Sequence, residues 1–201
     1  MASLERLNYL KGIVICHGKS EVFLARFVCS NLHLNIKTYS KKNGANSIQI
    51  NSLKSLLYTS PFKSFAEFKK EYEVSVTGKG ENRKINNFKL FIIMDTDDCS
   101  EDEQKKFITK EQFKGHWLYD YIVPIYNITN LEDVMQQSNI MTTRIKSSEK
   151  GEYYSKVFPI NTKPVCDDTI CQVKTLKSRI KGNKNTNLTE FIDYCLTNVD
   201  S

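Results

Sequence analysis

LFIIMDTDDCSEDE, residues 90–103, is an apolar run that empties directly into carboxylates. Leu90 to Met94 are too few for a typical helix and read as a buried strand. From Asp95 to Glu103 the chain then carries Asp95, Asp97, Asp98, Glu101, Asp102 and Glu103 with no Lys or Arg between them, inside a protein of formal charge +6. Two carboxylates about 4 Å apart repel by about 4 kcal/mol at an effective dielectric near 20, so such a cluster must face water or share a cation. Magnesium, a hard ion that takes oxygen ligands, suits it. Ser100 reads as a helix N-cap with Glu101 to Glu103 as a solvated first turn. On the extended end of the strand Asp95 and Asp97 share one side and Asp98 points to the other, which makes Asp95 and Asp97 the ligand pair.

Upstream, KGIVIC (11–16) reads as a short buried strand and SEVFLARFVCSNL (20–32) as a helix, with Gly18 in the turn and Ser20 as its N-cap. A second strand, NIKTYS (35–40), completes a β-α-β unit. Residues 46–58 and 62–72 carry helical spacing and break at Ser60 and Pro61. The polar stretch 75–87 has little to bury and is expected as an exposed connection or hairpin tip. Downstream, EQKKFITKEQF suits a helix, WLYDYIVPIYNI (117–128) a strand irregular at Pro124, and Asn130 the cap of a helix beginning at Leu131. Residues 139–165 carry no clear pattern. Two further helices are expected over 168–179 and 187–198, separated by KGNKN. Alternating strands and helices predict an α/β fold with a largely parallel central sheet flanked by helices and a C-terminal helical extension.

The totals narrow the function classes. No apolar run approaches the roughly 20 residues that span a bilayer, and the N-terminal residues lack the long apolar block of a secretory signal, so a cytoplasmic protein without membrane contact is expected. The six cysteines form no CxxC pair of the zinc or redox kind and are expected as reduced thiols. A sequence pI near 8.9 favours a polyanionic partner, nucleic acid first. Lys174, Lys177 and Arg179, with Lys181 and Lys184, are the candidate nucleic-acid contacts, although an exposed helix face explains them equally well. Trp117, Tyr119, Tyr121 and Tyr126 are aromatic enough to stack bases, but alternating core and surface packing is the simpler account.

In an open parallel sheet the functional crevice lies beyond the carboxyl ends of the strands, where CHGKSE (16–21) and DTDDC (95–99) would meet. Gly18 lets a ligand approach the backbone, Lys19 offers positive charge, and Gly18, Lys19 and Ser20 lead into a helix N-terminus suited to phosphate. Glu21 sits close enough to join a metal site. GKS alone is not a P-loop, because the upstream Gly and four-residue spacer are absent.

A strand ending in an acidic residue and Gly, followed by a strand ending in DxD, resembles the topoisomerase-primase, or Toprim, domain. IVICHGKSE is similar to its first motif, with Gly18 in place, and IIMDTDDC to its second, with Asp95 and Asp97 in place. Glu21 matches an acidic residue that the overcoming-lysogenization-defect nucleases of bacterial defence systems carry three after the Gly. The likeness spans about residues 11–130. It implies a Toprim-like core over residues 1–138, with the extension over 139–201 packed on it. It also implies Mg2+ or Mn2+ held by Glu21, Asp95 and Asp97, phosphate contacts at Gly18, Lys19 and Ser20, and catalytic roles for His17, Lys19 and Glu21. The function implied is nuclease or nuclease-subunit cleavage of DNA or RNA in phage defence, with a defence-system partner protein or a homodimer as assemblies.

His17 stands where that family has a Glu. Imidazole can take a proton or ligate a metal near neutral pH, but it lacks the carboxylate's charge. Either Glu21 and His17 share the missing role, or the site binds nucleic acid, a nucleotide signal or a partner protein without turnover. IIMDTDDC also resembles the nucleophile loop of haloacid-dehalogenase-type phosphatases. That loop normally follows the first strand and carries Thr or Val where this chain has Cys99.

Overall fold

The computed structural model describes residues 8–142 and 149–199. Chain order is β1 (Gly12–Cys16), α1 (Lys19–Asn31), β2 (Ile36–Tyr39), α2 (Leu53–Leu57), α3 (Phe65–Glu71), the small hairpin β3 (Val76–Thr77) and β4 (Lys84–Ile85), β5 (Lys89–Asp95), α4 (Glu101–Ile108), β6 (Ile122–Asn127), α5 (Leu131–Gln137), α6 (Lys150–Val157), α7 (Asp167–Ile180) and α8 (Thr189–Thr197). Four strands form an all-parallel sheet in the order β2-β1-β5-β6. Cys16 lies opposite Ile93, and Asp95 opposite Asn127, so the chain leaves β1, β5 and β6 at one edge.

Both faces of the sheet are covered, which is why its central strands are almost wholly apolar. Val14, Cys16, Phe91, Ile93 and Ile125 pack beneath α1, α5, α6, α7 and α8. Ile13, Ile15, Leu90, Ile92, Met94 and Ile122 face α2, α3, α4 and the hairpin. The alternation follows from the period-2 geometry of a strand. Pro124, which cannot donate to a ladder, sits in the edge strand β6. The outer side of β6 is closed by the connection between α7 and α8: Asn187 Oδ1 accepts from Tyr126 N–H, and Asn185 O from Ile128 N–H. The helices of the C-terminal extension contribute Val173, Leu176, Ile180, Phe191, Ile192 and Cys195 to the same apolar cluster as α1. Among the described residues no helix is long and apolar enough to cross a membrane.

Local chemistry explains the element ends. Ser100 Oγ accepts from Glu103 N–H while Glu103 returns a bond to Ser100 N–H, and Asn130 caps α5 through Asp133 N–H, both as expected. Ser20 is not the cap of α1. That helix begins at Lys19 after Gly18, and the Glu21 carboxylate accepts from Gly18 N–H at 2.7 Å. The carboxylate reaching back three residues takes up the N-cap N–H, which is the second half of a capping box, and among the described residues no side chain caps the first-turn N–H groups. Residues 46–49 are not helical; a single 3-10 turn at Ile50–Ser52 leads into α2. The expected strand at 117–128 forms only from Ile122, because Tyr119–Tyr121 curl into a 3-10 turn. The helix after the acidic stretch stops at Ile108, and Lys110 follows in the left-handed region. The segment without a clear pattern contains α6.

Three consecutive residues between β2 and α2, Lys42, Asn43 and Gly44, have positive φ, and Gly44 presses on the start of α1. A Cβ at Gly44 would lie 2.7 Å from Lys19 Cα, whereas one at Gly182, also at positive φ, would meet nothing within 4 Å. Gly182→Ala should therefore cost about 1 kcal/mol for the backbone alone, and Gly44→Ala roughly 2–3 kcal/mol. Urea unfolding of the two variants checks this; equal losses would show that the contact with α1 carries no weight.

Candidate functional site

The three exits from β1, β5 and β6 open into a cleft of about 730 Å³. One wall is the turn into α1, with His17, Gly18, Lys19, Ser20 and Glu21. A second is Asp95 and Asp97, and a third is Asn130 and Glu132 at the start of α5. Lys42, Asn43, Gly44, Ala45 and Ser47 cover one side, and Lys150 of α6 closes the other. The turn that holds Glu21 and the strand end that holds Asp95 thus share one cavity, as the sequence predicts. Asp98 lies off its wall.

Two carboxylates form the floor. Glu21 is 1% exposed: Oε2 accepts from Gly18 N–H, and Oε1 is buried with no hydrogen-bond partner. Asp95 is 6% exposed, and its Oδ1 accepts from Asn127 Nδ2 and from Leu131 N–H, both at 3.0 Å. Burial first, and then the Glu21 charge, push the Asp95 carboxyl well above the ordinary carboxylate range, while Asn127 works in the opposite direction. Burial also raises Glu21, with Glu132 adding to the rise and His17 and the Gly18 N–H opposing it. Asp97 stands exposed at the rim.

Glu132 differs from its neighbours. Burial alone would raise it, but Lys150 Nζ at 2.5 Å, Tyr154 OH at 2.9 Å and Ser20 Oγ at 2.9 Å all donate to Oε1, and together they hold it below the ordinary range. This node ties α1, α5 and α6 together at the mouth of the cleft. It also occupies the Ser20 hydroxyl, which sequence reasoning assigned to phosphate. Gly151, next in α6, has no Cβ to obstruct Lys19: an added one would lie 2.8 Å from Lys19 Nζ.

His17 is half-buried at the end of β1. Its backbone is fixed by bonds to Ile93 O and from Ile48 N–H, and its Nδ1 is buried without a partner. Lys174, Lys177 and Arg179, expected as nucleic-acid contacts, are on α7 and do not line this cleft. Lys177 pairs with Asp193, and Arg179 donates to Asn139 O. Among the described residues no three His, Cys, Asp or Glu side chains stand as a group that could hold a metal ion. Glu21 and Asp95, with Asp97 at the rim, still fit magnesium, which is commonly bound through one or two protein carboxylates completed by waters and substrate phosphates.

Sequence reasoning missed Glu132, Lys150 and Asn127. Glu132 was legible only as a first-turn acid of α5, Lys150 fell in the patternless stretch, and Asn127 reads as an ordinary strand end. The chain matches no protein-family model, and no curated protein or solved structure matches it significantly.

The raised carboxyls make a pH prediction. Between the unfolded and the folded values the native chain holds protons that the unfolded chain has released, so stability falls as pH rises through the folded values. Without divalent cation, Glu21→Gln and Asp95→Asn should raise the thermal midpoint at pH 7, and the gain should shrink as pH falls into the ordinary carboxylate range. Calorimetry across that range is the check; a gain that does not vary with pH would contradict it.

Proposed function

We propose that the protein is a divalent-cation-dependent phosphodiester hydrolase of the Toprim type, acting on DNA or RNA in the cytoplasm, in a phage-defence setting. The observation that carries the proposal is the placement of buried Glu21 beside buried Asp95, where the parallel pairing of β1 and β5 joins two loops in one cleft. Like charges held out of water call for a cation or a shared proton. Glu21 and Asp95, with Asp97, would hold Mg2+ or Mn2+. Such an ion, when bound, supplies Lewis-acid polarisation of a phosphoryl oxygen.

The chain's own residues account for the remaining needs of phosphoryl chemistry. Lys19, Lys42 and Lys150 on the cleft wall supply positive charge for phosphate oxygens. The opening turn of α1 presents backbone N–H groups to the same anion. Glu132 anchors Lys150 and so fixes where that charge sits. His17, on the cleft wall with no carboxylate in its place, is the group available to take or return a proton.

A second function, binding of nucleic acid, a nucleotide signal or a partner protein without turnover, is favoured by His17 in the Glu position of the resemblance and by the lack of a three-ligand group among the described residues. A haloacid-dehalogenase-type phosphatase fits less well, because Asp95 ends β5 and not the first strand, and Cys99 stands where that loop carries Thr or Val.

Incubation with plasmid, single-stranded DNA and RNA should give cleavage that requires Mg2+ or Mn2+. Asp95→Ala/Asp97→Ala and Glu21→Ala should each reduce it to background. Undiminished cutting by the double variant would end the hydrolase proposal. A wild type that binds without cutting, together with a His17→Glu variant that cuts, would establish the second function.

A further inference from the structure

A second cleft, of about 660 Å³, lies at the opposite end of the sheet. Its walls come from the hairpin β3-β4, which precedes the start of β5, from α3, and from the turn before β6. The seven-residue length of β5 therefore separates it from the acidic cleft by about 20 Å.

Phe65, Trp117 and Tyr121 give this cleft flat apolar walls, and Arg83 and Lys84 give it positive charge. The rings are held in place before any ligand arrives. Trp117 Nε1 donates to Phe62 O at 2.7 Å, the indole meets Phe65 and Phe68 at steep angles, and Tyr121 OH accepts from Ile85 N–H at 2.9 Å. The Arg83 guanidinium lies over the Phe65 ring, 4.7 Å from its centroid, and its Nε donates to Gly80 O. Arg83 and Lys84 are both exposed, and among the described residues neither forms an ion pair. The one carboxylate on the described wall is Asp120.

We propose that this cleft binds a nucleobase together with its phosphate. A fixed indole and a guanidinium plane backed by an aromatic ring are stacking surfaces for a flat heterocycle, since every base has a π-face. The two cations beside them suit the attached phosphate, and Asp120 can accept from an exocyclic amine or a sugar hydroxyl. The volume falls within the roughly 300–1,000 Å³ of small-ligand sites. A free nucleotide and a nucleotide within a single strand share this chemistry. The site stands apart from the acidic cleft and does not depend on turnover there.

Trp117 is the only tryptophan in the chain, so its fluorescence reports on this cleft alone. Titration with adenosine monophosphate and with a short oligodeoxyadenylate should quench it saturably. Saturation by the mononucleotide identifies a free nucleotide as sufficient; saturation by the oligomer alone identifies a strand. Arg83→Ala/Lys84→Ala should weaken the effect about tenfold or more and reduce its salt dependence. The same titration in Asp97→Ala protein should still quench, separating this cleft from the acidic one. Lack of saturable quenching by either ligand, equal quenching by inorganic phosphate, or unchanged affinity in the Arg83→Ala/Lys84→Ala protein would overturn the proposal.

Discussion

Parallel pairing of β1 with β5 is the constraint on which the rest of the molecule depends. The two strands are central, buried on both faces, and aligned so that Cys16 lies opposite Ile93. A parallel ladder makes its neighbours end at the same edge, so two loops far apart in the chain emerge side by side. A one-residue slip would turn every apolar side chain of a strand toward the wrong layer. Packing of Val14, Cys16, Phe91 and Ile93 on one side, and of Ile13, Ile15, Leu90, Ile92 and Met94 on the other, thereby fixes where Glu21 and Asp95 stand.

That placement creates an electrostatic arrangement with two halves. The floor is two buried carboxyls, Glu21 and Asp95, both raised first by desolvation, Asp95 further by the Glu21 charge and Glu21 further by the Glu132 charge. The mouth is Glu132 with its three donors, a carboxylate kept ionised by Lys150, Tyr154 and Ser20. In the proposed hydrolase, the floor carboxyls would give up their protons to a cation, and the mouth, with Lys19, Lys42 and Lys150, would take a phosphate. The arrangement is incomplete without α6, which contributes both Lys150 and the glycine beside the Lys19 ammonium.

The C-terminal helices also guard the sheet edge. β6 would otherwise present unpaired backbone groups to solvent, an invitation to pair with another chain. The Asn185 to Asn187 connection takes up the outward N–H groups of Tyr126 and Ile128, and Thr186 donates to Asn127, which in turn donates to Asp95. One hydrogen-bond chain thus runs from the connection between α7 and α8 to the cleft floor.

Several parts of this were legible in residue order. Short apolar runs marked β1 and β5, the two central strands that carry the cleft, because burial on both faces leaves a continuous apolar signature. Ser100 and Asn130 announced their helices, since capping is a local event within four residues. Asp95, Asp97 and Glu21 were legible because each follows a strand end or a tight turn. Ser20 was misassigned because α1 starts one residue earlier, after Gly18, and the Ser20 hydroxyl is taken by Glu132, 112 residues away in the chain. Glu132, Lys150 and Asn127 were illegible because their roles rest on contacts between segments widely separated in the chain, and no periodicity encodes such contacts. Hydrophobic period and turn chemistry, being local, determined the elements and the positions of the acidic residues at their ends. Which side chains share a cavity, which carboxyls are buried and which cations reach them was decided only when the sheet and its two helical layers closed, because burial and Coulomb interactions depend on distances in space.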